Sequence, residues 1–106
     1  MKNELENRTC VVTGAAGGSG LGIASAMVQA GARVAMIDIL EDVVSEKALA
    51  LSGNGCTAKG YAVAITDREA VFATFARIHN DLGPIDTLVN NAGVVDQRPF
   101  EEITAG

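Results

Sequence analysis

Apolar positions along the chain fall into short continuous runs separated by stretches of helical spacing. The first run is Cys10-Val11-Val12, and Gly14 follows it closely. Continuous, partly β-branched runs of this kind are the mark of strands buried on both faces of a parallel sheet. After a glycine-rich turn, Leu21, Ala24, Met27 and Val28 recur at helical spacing, and Gly31 supplies a left-handed cap. Val34-Ala35-Met36-Ile37 predicts a second strand ending on Asp38. Glu41 to Leu51 predicts a second helix, with Val44, Ala48 and Leu51 on one face and Gly53 as its stop.

Tyr61-Ala62-Val63-Ala64-Ile65 predicts the third strand. Thr66-Asp67-Arg68-Glu69 then matches a capping box, with Thr66 at the cap. Val71, Phe75, Ile78 and Leu82 form the apolar stripe of a third helix, which Gly83-Pro84 ends. Thr87-Leu88-Val89 is the fourth strand, closed by Asn90-Asn91-Ala92-Gly93. The rest, through Pro99 and Phe100 to Gly106, predicts a loop and the start of another helix.

Alternation of strands and helices predicts an α/β fold: a three-layer, Rossmann-type parallel sheet, present in part. Right-handed crossovers give the strand order 3-2-1-4, half of a doubly wound sheet. The 106 residues make one domain, 1–106, and not two. Apolar residues are 48% of the chain and Trp is absent, so the core is built from Val, Ile, Leu, Ala and Met. The net charge of −5 argues against a nucleic-acid or membrane-surface binder, which needs basic patches. It does not exclude an anionic ligand held by backbone N–H groups. The polar start Met1 to Asn7 does not read as a secretion signal, and no apolar run is long enough to span a bilayer. Cys10 and Cys56 therefore read as reduced structural thiols of a cytoplasmic protein.

The stretch Thr13-Gly14-Ala15-Ala16-Gly17-Gly18-Ser19-Gly20 lies between a strand and a helix. Gly14 lets the chain turn off the strand. Gly18 and Gly20 keep Cβ atoms away, so backbone N–H groups can face a pyrophosphate and the helix can pack close to the sheet. A helix starting at about Ser19 aims its N-terminus at that phosphate. A mononucleotide loop would need Gly-Lys-Ser/Thr, and here Ser19-Gly20-Leu21-Gly22 carries no Lys. Asp38 ends the second strand, where a carboxylate can accept hydrogen bonds from the adenosine ribose. It would repel a 2′-phosphate, and neither Gly17 nor Ile39 offers a cation. The pattern predicts NAD over NADP.

On Thr13-Gly14-x-x-x-Gly18-x-Gly20, Asp38 and Asn90-Asn91-Ala92-Gly93, the sequence resembles the short-chain dehydrogenase/reductase family. The resemblance implies that Gly14, Gly18, Ser19 and Gly20 line the pyrophosphate. It places Asp38 and the Ile39 backbone at the ribose, and the Ile65 backbone at the adenine. Asn90 and Gly93 would lie beside the cofactor, with Asn90 or Asn91 bracing the sheet. Where the family often has Asp-Val after the third strand, this chain has Ala64-Ile65. One adenine hydrogen bond is thereby lost, a cost of about 1 kcal/mol.

The family's catalytic Ser, Tyr and Lys fall beyond Gly106. The chain's one Tyr, Tyr61, is followed four residues later by Ile65 rather than Lys, so it reads as a strand residue. His79 reads as a solvated helix residue, and no Cys, His and carboxylate cluster has metal-ligand spacing. The expectation is therefore the NAD(H)-binding part of an oxidoreductase truncated before its chemistry. A small-molecule alcohol or carbonyl substrate would be met only in a longer parent. The alternatives are a stand-alone dinucleotide-binding module and an inert fragment. An edge at the fourth strand predicts self-association.

Overall fold

Five residues, Thr9–Thr13, form β1, and all five are buried. A strand buried on both faces needs a neighbour on each edge and a layer of helix on each side. The computed structural model, which describes residues 4–53 and 57–91, supplies all of these. β2 (Arg33–Asp38) pairs with β1 in parallel, setting Val11 against Ala35, and β3 (Thr57–Ala62) continues the sheet beyond it. β4 (Thr87–Val89) pairs in parallel with the other edge of β1, with Leu88 opposite Val11. The order β3-β2-β1-β4 is the one predicted.

Parallel neighbours require crossovers, and three helices make them. α1 (Gly18–Gln29) and α2 (Glu41–Leu51) cover one face. There Ala24, Val28, Val44 and Ala48 pack on Cys10, Val12, Val34 and Met36. α3 (Arg68–Leu82) covers the other, where Ile78 and Leu82 meet Val11, Ala35, Ile37 and Tyr61. Alternate residues of each central strand thus serve opposite layers. Among the described residues no helix is long and apolar enough to cross a membrane.

Three details differ from the sequence reading. The third strand is Thr57–Ala62, not Tyr61–Ile65. Its ladder runs from Arg33 opposite Thr57 to Asp38 opposite Ala62, so the length of β2 sets where it stops. It is an edge strand carrying an exposed Lys59, which hides it from a search for apolar runs. The cap of α3 is Asp67, whose side chain accepts from the Ala70 N–H at 3.1 Å, and not Thr66. That shift leaves Glu69 at the second helical position, too early to complete a capping box. On α3 the deeply buried residues are Thr74, Ile78 and Leu82, while Val71 and Phe75 are only half-buried.

Tyr61 is a strand residue, as expected, and ties β3 to α3. Its buried phenol donates to Asp81 Oδ2 at 2.8 Å, and Lys59 Nζ lies 3.1 Å from the same oxygen. The Arg77 guanidinium sits 5.2 Å from the Tyr61 ring centre, within cation–π range. Burial, then the Asp81 hydrogen bond, push the Tyr61 phenol up. The Tyr61 hydrogen bond and then that of Lys59 hold the Asp81 carboxyl below its ordinary value. A lowered folded pKa gives stability above the unfolded value, and that stability is lost as pH falls through the folded one. Asp81→Asn should therefore unfold at lower temperature than wild type at pH 7, with the gap closing on acidification in thermal melts across pH. Tyr61→Phe should cost about 1 kcal/mol in denaturant titrations at neutral pH.

Candidate functional site

The chain must leave β1 abruptly, because the strand is buried to its last residue. Gly14 does this at φ 64°, and Gly18 at φ 61° starts α1. Both values lie in the left-handed region that favours glycine. Gly18 is thus needed for its backbone angle and not for space, since a Cβ there would meet nothing. Gly20 is needed for space. A Cβ there would strike the Gly14 carbonyl oxygen and would lie 2.8 Å from Asn91 Nδ2.

Hydrogen bonds from three strand ends hold the turn in place. The Ala15 N–H donates to the Ile37 carbonyl at 3.0 Å, and the Ala16 N–H donates to Asp38 Oδ2 at 3.0 Å. The Leu40 N–H donates to Asp38 Oδ1 at 3.2 Å. Thr13 joins β1 to the end of β4. Its hydroxyl accepts from the Asn91 N–H at 2.8 Å and lies 3.1 Å from its acceptor Asn90 Oδ1. Ser19 Oγ donates to Asn91 Oδ1 at 3.2 Å, which carries the link into the first turn of α1.

The N-terminus of α1 is electrically open. Gly17 caps it with extended backbone, no side chain takes up the cap hydrogen bond, and the first turn has no acid. The first N–H groups of a helix have no intrahelical partner, so this end favours an anion. It faces a cavity of about 540 Å³. Gly14, Gly18 and Ser19 form one wall, Asp38 and Ile39 a second, and Ile65 a third. Among the described residues no Lys or Arg lines it.

Six of the residues singled out in the sequence thus share one cavity. Gly20 lies behind its wall as a packing residue. Asn91, rather than Asn90, lines this cavity, while Asn90 lines a neighbouring cavity of about 330 Å³ beside Val71 and Phe75. The Asn90 side chain braces the sheet by accepting from Thr13, whereas Asn91 does so through its backbone N–H and its side chain accepts from Ser19 of α1. Gly93 and Cys56 lie outside the described residues. Thr66, read from sequence as a cap, instead lines both cavities. Cys10 is buried, and burial pushes its thiol up. His79 is an exposed residue of the last turn of α3.

The reversal of strand order between β1 and β4, with a glycine turn and an open helix end at that switch point, defines a Rossmann-type α/β half-sheet. The family described as short chain dehydrogenase matches residues 8–106, and the chain belongs to it. It is 37% identical over 94 residues to 2-(S)-hydroxypropyl-CoM dehydrogenase 3 of Xanthobacter autotrophicus, covering 89% of this chain and 37% of that protein. It is 37% identical over 100 residues to D-threitol dehydrogenase of Mycolicibacterium smegmatis, covering 94% and 38% respectively. The crystal structure of 2-keto-3-deoxy-D-gluconate dehydrogenase from Streptococcus agalactiae superposes with a TM-score of 0.78 at 36% identity, covering 95% of this chain and 38% of that one. The chain therefore spans less than two fifths of the length of these relatives. Dehydrogenases of this family act on alcohols and use nicotinamide cofactors.

Two of the glycines in the first helical turns, Gly20 and Gly22, should behave oppositely. Gly20→Ala should lower stability by about 1–3 kcal/mol, the range for forced overpacking. Gly22→Ala, whose Cβ would meet nothing, should raise it by up to about 1 kcal/mol through helix propensity. Denaturant unfolding of both variants checks the contrast.

Proposed function

We propose that this chain is the NAD(H)-binding part, a single half-domain, of an NAD-dependent short-chain dehydrogenase/reductase acting on an alcohol or carbonyl substrate. The observation that carries the reading is Asp38, a carboxylate in a cavity wall that among the described residues offers no cation, next to an uncapped helix N-terminus. The cavity is of the size expected for a cofactor site, and Gly14, Gly17 and Gly18 put no side chain into it. The residues present fit the group.

Gly14, Gly18, Ser19 and Gly20 bring backbone N–H groups and the helix dipole to the diphosphate. Asp38 accepts from the adenosine ribose hydroxyls, beside the Ile39 backbone, and repels a 2′-phosphate. Ile65 offers its backbone and an apolar flank to the adenine. The family resemblance assigns Asn90 and Gly93 to the nicotinamide side of the cofactor; Gly93 lies outside the described residues, and at the end of β4 it is Asn91 that lines the cavity, with Asn90 in the neighbouring one. When bound, the nicotinamide accepts or donates a hydride. The chain's own part is to bind and orient. Its one Tyr, Tyr61, donates to Asp81 of α3 and has Ile65 rather than Lys four residues on, so it is assigned no acid–base role.

The 106-residue chain is therefore expected to bind NADH more tightly than NADPH at matched ionic strength, and to show no turnover with secondary alcohols. Fluorescence or calorimetric titration of both cofactors checks the preference; equal or tighter NADPH binding contradicts it. Reduction of NAD by the pure chain would contradict the division of labour.

A second part of the proposal concerns assembly. Among the described residues β4 pairs on one side only, and its three residues are only half-buried. An open strand edge pairs with another chain. The expected result is a concentration-dependent dimer or larger species in size-exclusion chromatography with light scattering. A monodisperse monomer at high concentration would contradict it.

A further inference from the structure

We infer that Asp38 is a positioning residue for the glycine turn as well as a ribose partner. Its carboxylate holds the Ala16 N–H, and through it sets the direction of the N–H groups that follow. The inference rests on the cofactor reading for its ligand but not for its geometry.

The outer half of the turn is not held by packing. Gly17 and Gly18 are exposed, and a Cβ on either would meet nothing. Two hydrogen bonds anchor the inner half to the end of β2. One joins backbone to backbone, from Ala15 to Ile37, and does not depend on the side chain at position 38. The other, from Ala16 to Asp38, exists only while position 38 carries an acceptor. Ala16 is buried, so its N–H would have no ready substitute in water. The bond is charge-assisted and correspondingly strong.

The same carboxylate can perform both tasks. Oδ2 holds Ala16 and Oδ1 holds Leu40, which leaves it in a set orientation. Each carboxylate oxygen has two acceptor sites, so one on each remains for a ribose hydroxyl. Removing Asp38 therefore has two consequences. The ribose loses its partner, and the turn that would hold the diphosphate loses its anchor.

The two can be separated with a ligand that lacks the hydroxyls. The probes are ADP and 2′,3′-dideoxy-ADP, titrated into the 106-residue chain carrying Asp38→Asn or Asp38→Ala. Both variants are neutral at this position, so the loss of a negative charge near an anion affects them equally. Asn keeps an acceptor for Ala16 and Ala does not. The expected result is that Asp38→Asn binds dideoxy-ADP about 5- to 10-fold more tightly than Asp38→Ala. Equal affinities for dideoxy-ADP would overturn the inference and leave Asp38 as a ribose partner alone.

Amide hydrogen exchange gives a readout that needs no ligand. In the wild type, Ala16 should exchange more slowly than Gly17, and Asp38→Ala should speed Ala16 while Asp38→Asn restores its protection. If the wild-type chain binds neither nucleotide, the cofactor reading fails and exchange alone decides the positioning role. Ala16 exchanging as fast as Gly17 in the wild type would then overturn it, as it would if Asp38→Ala failed to fold.

Discussion

The burial of β1 along its whole length is the constraint on which the rest of the molecule depends. A strand closed off on both faces cannot fray or bend towards solvent. It needs α1 and α2 on one side and α3 on the other, and it must pair on both edges. Right-handed crossovers then carry the chain outward through β2 and β3 before it returns to the far edge as β4. The return separates the connections that leave the ends of β1 and β4, and the crevice between them is where such sheets take ligands. The chain can leave β1 only through a sharp turn, which is why a left-handed glycine follows Thr13 directly.

The polar side chains at this crevice serve mainly to hold the backbone in place. Thr13, Asn90 and Asn91 join β1 to β4, Ser19 joins Asn91 to α1, and Asp38 joins β2 to the turn. What they leave open is the row of backbone N–H groups at the start of α1. An acidic chain with a net charge of −5 can therefore present a locally positive site. The scheme also explains why Gly20 tolerates no side chain: the helix start, the Gly14 carbonyl and Asn91 converge on its Cα.

Elements with a strong local signal were legible from sequence. α2 and β4 match their expected bounds, because an acid-rich first turn, a following glycine and a short apolar run are local features. β3 was displaced because its position is set by pairing with β2, while the apolar Val63-Ala64-Ile65 beyond it serves the cavities. The capping residue moved by one, as Thr66 and Asp67 are both competent caps and only packing decides between them. At the site, the glycines and Asp38 were legible by type. Their separate reasons were not. That Gly18 needs an angle and Gly20 needs space, that Asp38 reaches Ala16, and that Asn91 rather than Asn90 faces the larger cavity all depend on residues far apart in sequence.

The central claim is that the turn from Gly14 to Gly20 is where a dinucleotide diphosphate binds. Backbone amide NMR of the chain, followed on addition of NADH, tests it most directly. The account predicts the largest shift changes at the amides of residues 14–20, with smaller ones at Asp38, Ile39 and Ile65. Changes centred instead on Val71, Phe72 and Phe75, at the neighbouring cavity, or no change at the turn at saturating NADH, would contradict it.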